Sequence, residues 1–110
     1  MHEHHQVEKL VRDLLAQAQG RKVRRVRLVM GDLLGFDETS VRLYFDIFTE
    51  NTPAEGAELN VRWVRGELHC PGCKNNFVKI KGQLDCPICG TQGAPTEIGK
   101  EFFVEEVLTG

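Results

Sequence analysis

The sequence predicts a small α+β domain interrupted by a four-cysteine module. Apolar residues recur at helical spacing in two segments and alternate along three others. Between the second and third alternating segments, over residues 66–99, Gly, Pro, Cys and Asn rise and two Cys-x-x-Cys pairs stand twelve residues apart. The last alternating segment is expected to rejoin the first sheet, which makes the cysteine segment an excursion from the main domain. At 110 residues, 41% hydrophobic and 27% charged, the chain has the size and balance of one globular domain, so disorder and coiled coil are excluded.

The first helix is expected over residues 6–19, where Val7, Leu10, Val11, Leu14, Leu15 and Ala18 form one apolar face. Gly20 stops it, because glycine takes the left-handed position after a helix without a Cβ clash. Val23 to Met30 is the first strand. Val26, Leu28 and Met30 alternate with Arg25, Arg27 and Val29, so its outer face starts wet and ends drier. Gly31 and Gly35 bracket a loop containing Leu33 and Leu34.

The second helix is expected from Glu38 to Glu50, with Asp37 as its N-cap. Val41, Tyr44, Phe45 and Phe48 make its apolar stripe, and Leu43 and Ile47 widen it, which predicts burial on more than one side. Asn51, Thr52 and Pro53 end it, since the residue before proline avoids helical angles. Leu59 to Val64 alternates as the second strand. The cysteine segment holds only Phe77, Val78, Ile80, Leu84 and Ile88 as apolar material, too little to fold without a cross-link. The final strand falls within Glu101 to Leu108.

No apolar run approaches the roughly 18 residues a membrane span needs. The start, Met1-His2-Glu3-His4-His5, has no apolar region of a secretory signal, so the expected compartment is the cytoplasm. A formal charge of −2 and a pI near 6.1 argue against a nucleic-acid binder. The basic run Arg21, Lys22, Arg24, Arg25 and Arg27 is expected to be a solvated face. No nucleophile–base pair, phosphate loop or paired carboxylate stands out, so the chain is not expected to be an enzyme.

Cys70-Pro71-Gly72-Cys73 and Cys86-Pro87-Ile88-Cys89 are two knuckles that turn four thiolates onto one ion, as closed tetrahedral Zn(II) sites require. Iron in a rubredoxin-like site is the chemical competitor. Disulfides are the other alternative and suit a reducing cytosol poorly. With four cysteines no coordination position stays open, so the ion is structural. Gly90 follows the second knuckle, whereas Lys74 holds the matching place after the first. His69, beside Cys70, is expected at the surface or behind the ligands.

Three of the four histidines lie in the first five residues. The Met1 α-amine, the deprotonated His2 amide nitrogen and the His2 imidazole can close fused chelate rings, with the Glu3 amide or another donor in a fourth place. Such nitrogen-rich planar or tetragonal sites suit Ni(II) or Cu(II). His4, His5 and the Glu3 carboxylate could complete a six-coordinate alternative. The competing reading is a solvated histidine tract or an expression scar.

Together these residues resemble the hydrogenase maturation nickel-insertion proteins of the HypA/HybF family. Met1-His2-Glu3 opens the chain as that family does. Val26 to Leu34 with Gly31 and Gly35, the run Thr52-Pro53-Ala54-Glu55-Gly56-Ala57-Glu58-Leu59, the paired knuckles and Gly99-Lys100-Glu101 complete the match over essentially the whole chain. The resemblance implies two helices packed on a three-stranded mixed sheet, with a zinc-ribbon-like module inserted before the last strand. A nickel-binding α/β domain would then occupy 1–67 and 98–110, and the zinc module 68–97.

By position it implies nickel at Met1, His2 and Glu3, with His2 the principal ligand, and zinc at Cys70, Cys73, Cys86 and Cys89. It also implies a metallochaperone that delivers Ni(II) to the [NiFe]-hydrogenase large subunit with a HypB-type nickel GTPase and, in some organisms, serves urease maturation. Monomers and homodimers both fit it. No nucleic-acid or membrane partner is expected. His4 and His5, where the family has hydrophobic and small residues, are candidate additional nickel donors. Asn51 replaces a usual glycine, which asparagine tolerates in a left-handed turn, and Arg65 replaces a common proline.

Overall fold

The structure is a computed structural model that describes residues 2–80 and 83–110. Elements follow in the order α1 (His2–Ala18), β1 (Val23–Gly31), α2 (Glu38–Thr49), β2 (Glu58–Val64), β3 (Glu67–His69), β4 (Asn76–Val78), β5 (Ala94–Pro95) and β6 (Phe102–Thr109). One three-stranded sheet has the order β2-β1-β6, and a second the order β4-β3-β5. Arg25 meets Glu58 at 3.3 Å and the Asp32 amide donates to Val64 O at 3.0 Å, so β2 runs alongside β1 in the same direction. The Gly31 amide donates to Glu101 O and the Gly110 amide to Lys22 O, so β6 runs the opposite way. The first sheet is therefore mixed, and the expected return of the last strand to it is what the chain does.

Two compact units emerge. Met1–Val29, Phe36–Arg62 and Phe103–Gly110 make one; Met30–Gly35 and Trp63–Phe102 make the other. In the first unit, Val7, Leu10, Val11, Leu14 and Ala18 of α1, Val26 and Leu28 of β1, and Val41 and Phe45 of α2 are all buried. The helical periodicity thus selects the core face of α1. That helix starts earlier than the expected residue 6 and takes in His2 to His5. Glu3 in its first turn complements the positive end of the helix, and the His4 ring packs on α2. Gln19 at φ 53° and Gly20 at φ 81° both turn left-handed and end it.

Asp37 caps α2 as expected, its Oδ2 accepting from the Ser40 amide at 3.2 Å. Asn51 closes the segment at φ 60°, the left-handed angle that asparagine tolerates better than most residues. The wide stripe is not buried on several sides. Leu43 and Ile47 are 56% and 47% exposed, because α2 sinks only Val41, Phe45 and Thr49. Arg25 and Arg27 are exposed while Val29 is buried, the wet-to-dry progression expected of β1. An ion pair from Arg62 to Glu105, at 3.0 Å, reaches over β1 from β2 to β6.

In the second unit the loop after β1 is stitched to the cysteine segment by backbone. The Leu33 amide donates to Gly99 O at 2.9 Å, and the Glu67 amide to Ile98 O at 3.1 Å. Asp32 Oδ1 accepts from the Gly66 amide at 2.6 Å. At Gly31 and Gly99 a side chain would collide with opposing backbone, so the sequence has glycine where two chain segments touch. β3 is the middle strand of the small sheet, pairing antiparallel with β4 and β5, and its Leu68 is buried.

Candidate metal centres

The two knuckles are built alike. Cys70 N donates to Asn75 O and Lys74 N to Cys70 O; Cys86 N donates to Thr91 O and Gly90 N to Cys86 O, all between 2.8 and 2.9 Å. Each turn closes with a left-handed residue, Lys74 at φ 59° and Gly90 at φ 77°. Lys74 thus adopts the angle that glycine takes in the second knuckle. Backbone amides also face sulfur, with Cys73 N and Ile88 N each 3.4 Å from the first sulfur of its knuckle, Cys70 and Cys86.

The four sulfurs of Cys70, Cys73, Cys86 and Cys89 lie within 4.8 Å of one another. Cys70 Sγ and Cys89 Sγ are 3.3 Å apart, and Cys73 Sγ and Cys86 Sγ 3.7 Å. A tetrahedral zinc with bonds of about 2.3 Å would set its sulfurs about 3.8 Å apart, so the set fits such an ion. None of the four is in a disulfide. Their protonation is unequal. The Thr91 hydroxyl, 3.3 Å from Cys89 Sγ, and then the Thr91 amide push the Cys89 thiol down to about 6. The Cys89 and Ile88 amides lower Cys86, whereas the hydrogen bond with Cys70, followed by burial, pushes Cys73 up to about 11. His69 is a neighbour of this cluster and not part of it: its Nδ1 pairs with Asn76 Oδ1 at 2.8 Å.

At the other end of the chain, the Met1 assignment and the side chain of His2 lie outside the described residues; the His2 backbone is the first of α1. Glu3 Oε2 accepts from the Asp37 amide at 2.7 Å. His4 is half-buried, its ring edge-on to Tyr44 at 5.4 Å and to Phe48 at 5.1 Å between centroids. His5 is exposed and meets the His4 ring at 5.2 Å. Sequence reasoning missed the docking of Glu3 and His4 on α2. A signal was available for His4, because the buried run Val7, Val11, Leu14 and Ala18 extended one step back lands on it. Thr91 was also missed, and nothing in the spacing marks it.

Four thiols gathered within reach of one ion, on a small α+β frame, are the marks of a protein that could hold a metal. The comparisons with known proteins make the family specific. Residues 1–109 match the family model for HypA, the hydrogenase/urease nickel incorporation metallochaperone. The hydrogenase maturation factor HypA of Caldanaerobacter subterraneus subsp. tengcongensis is 43% identical over 97% of each chain. That of Dehalococcoides mccartyi is 36% identical over 97% of this chain and 92% of its own. In fold, the chain is similar to the solution structure of the Ni metallochaperone HypA from Helicobacter pylori. The TM-score is 0.65 at 21% identity, over 97% of this chain and 96% of that one. The chain belongs to the HypA family of nickel-incorporation metallochaperones and is a maturation factor, not an enzyme.

Proposed function

We propose that this protein binds Ni(II) at its N-terminus and delivers it to the large subunit of [NiFe]-hydrogenase, or to urease where that is the client. The Met1 amine, the amide and imidazole nitrogens of His2 and the Glu3 amide hold the cargo; His4 and His5 are the candidates for further donors. Zn(II) occupies Cys70, Cys73, Cys86 and Cys89 and supplies folding energy to a segment with few buried apolar residues. A HypB-type nickel GTPase is the partner that loads or unloads the chain, and the cytoplasm is where both work. The nickel-handling domain is 1–67 with 98–110, and the zinc module 68–97.

The observation that carries this reading is the family match from residue 1 to residue 109, which takes in Met1-His2-Glu3 as well as the four cysteines. Among the described residues, no helix is long and apolar enough to cross a membrane. Chemistry favours the same division of labour. Four thiolates close around one ion and keep it, whereas nitrogen donors at a chain end can be displaced one at a time by an acceptor's ligands. Each nitrogen also competes with a proton, so uptake rises with pH. Titration calorimetry on His2→Ala tests the reading: stoichiometric Ni(II) binding is lost while zinc content and circular dichroism stay as in the parent protein. Parent-like nickel affinity in that variant would remove the N-terminal site.

A further inference from the structure

The first turn of α1 is held against α2 by two contacts that the metal assignment does not use. Glu3 reaches the backbone of Asp37, the residue that caps α2, and the His4 ring sits edge-on between Tyr44 and Phe48. These come from adjacent residues immediately after His2. They restrain the same stretch of backbone, which is helical from His2 onward.

Helical backbone matters for chelation. The amides at the start of a helix have no partner within it, so an ion can displace the N–H protons of His2 and Glu3 to solvent and bind the deprotonated nitrogens without breaking an intrahelical hydrogen bond. A five-membered chelate ring through two successive backbone nitrogens needs both on the same side of the Cα–C bond. Helical ψ, near −42°, brings them there; extended ψ, near +135°, places them apart. A first turn fixed as helix is therefore already close to the arrangement a planar set of backbone nitrogens requires. A frayed one must be ordered at the moment of binding, which weakens affinity.

We infer that the side chains of Glu3 and His4 are positioning residues for nickel. The Glu3 carboxylate, through the Asp37 amide, and the His4 ring, through Tyr44 and Phe48, hold the backbone from His2 onward in the helical form that presents the His2 and Glu3 nitrogens to the ion. This rests on the N-terminal nickel reading proposed above. It assigns to Glu3 a structural side chain alongside a ligating backbone, and to His4 an aromatic role in place of a donor one.

Conservative and disruptive variants separate positioning from ligation. Glu3→Gln keeps an oxygen for the Asp37 amide, and His4→Phe keeps an edge-packing ring but no donor nitrogen. Both are expected to retain parent Ni(II) affinity within about threefold by titration calorimetry. Glu3→Ala and His4→Ala lose the docking and are expected to weaken nickel binding about five- to tenfold, with the visible absorption of the bound ion unchanged in position. In the metal-free protein, amide hydrogen exchange at Asp37 accelerates in Glu3→Ala and stays at the parent rate in Glu3→Gln. The inference is overturned if His4→Phe loses nickel as fully as His4→Ala, since the imidazole is then a ligand. It is equally overturned if Glu3→Gln binds as weakly as Glu3→Ala, or if Asp37 exchange ignores position 3. A His2→Ala variant that still binds nickel would sink the N-terminal reading instead, and the metal-free exchange experiment would remain valid.

Discussion

Gly31 lies with its α-carbon against the carbonyl group of Gly99, across a gap that admits no β-carbon. The same place carries two short backbone hydrogen bonds, Gly31 N to Glu101 O at 2.7 Å and Leu33 N to Gly99 O at 2.9 Å. A side chain at position 31 would push on backbone, which cannot swing away as a flexible side chain would. Gly31→Ala is therefore expected to destabilise the protein by about 1–3 kcal/mol, the usual cost of overpacking. Urea denaturation followed by circular dichroism measures it; an unchanged midpoint would mean that the segments are not in contact.

Loss of one thiolate should unfold the cysteine segment before anything else. A structural zinc site contributes about 10–16 kcal/mol of apparent binding free energy in small domains. The buried side chains around this one are few, Leu68, Cys70 and Cys86 among them. Cys86→Ala is expected to release the zinc and to abolish slow hydrogen exchange over residues 66–99, while α1 and α2 keep theirs. Full zinc content in that variant would rule out four-thiolate ligation.

The Thr91 hydroxyl helps hold Cys89 in its thiolate form. In the metal-free fold the Cys89 pKa lies at about 6, below the ordinary 9.0, so the fold prefers the thiolate. That preference is complete above pH 9 and disappears as pH falls through about 6. Thr91→Val removes the hydroxyl, raises the Cys89 pKa and lets protons compete better with the metal. Zinc release to a chromophoric chelator should then begin at a higher pH than in the parent protein. An unshifted release curve would show that the hydroxyl does not act on the sulfur.

Lys74 carries a backbone penalty that its counterpart Gly90 avoids. Both close their knuckles in the left-handed region, at 59° and 77°. Such angles cost an ordinary residue about 1–2 kcal/mol, offset in part by the larger entropy glycine loses on folding. Lys74→Gly is expected to leave zinc stoichiometry alone and to raise thermal stability by about 0.5–1 kcal/mol, measured by calorimetry on the zinc-loaded protein.

Much of the fold and of the cysteine site is legible in the sequence. Periodicity selected the buried face of α1, Asp37 declared itself as a cap, and the cysteine spacing located the cluster. These signals are local, each one needing only a few neighbouring residues to interpret. What was not legible depends on residues far apart in the chain. The apolar run of α1 stepped back lands on His4, but nothing near it reveals Tyr44 and Phe48 as its partners, and nothing near Glu3 reveals the Asp37 amide. The stripe of α2 was misjudged for the opposite reason. Leu43 and Ile47 have the right chemistry for burial, but hydrophobicity alone does not create a second surface to cover them.

The four sulfurs are not equally sheltered. Cys70 and Cys86 belong to buried residues, Cys73 is intermediate, and Cys89 is exposed. Cys89 is also the sulfur whose thiolate the fold favours most clearly. Peroxide and alkylating reagents attack thiolates that they can reach. Among the four sulfurs, Cys89 at the second knuckle is therefore the one an oxidant reaches most readily, and the damaged ligand set would be three-quarters intact when an ion held there begins to leave.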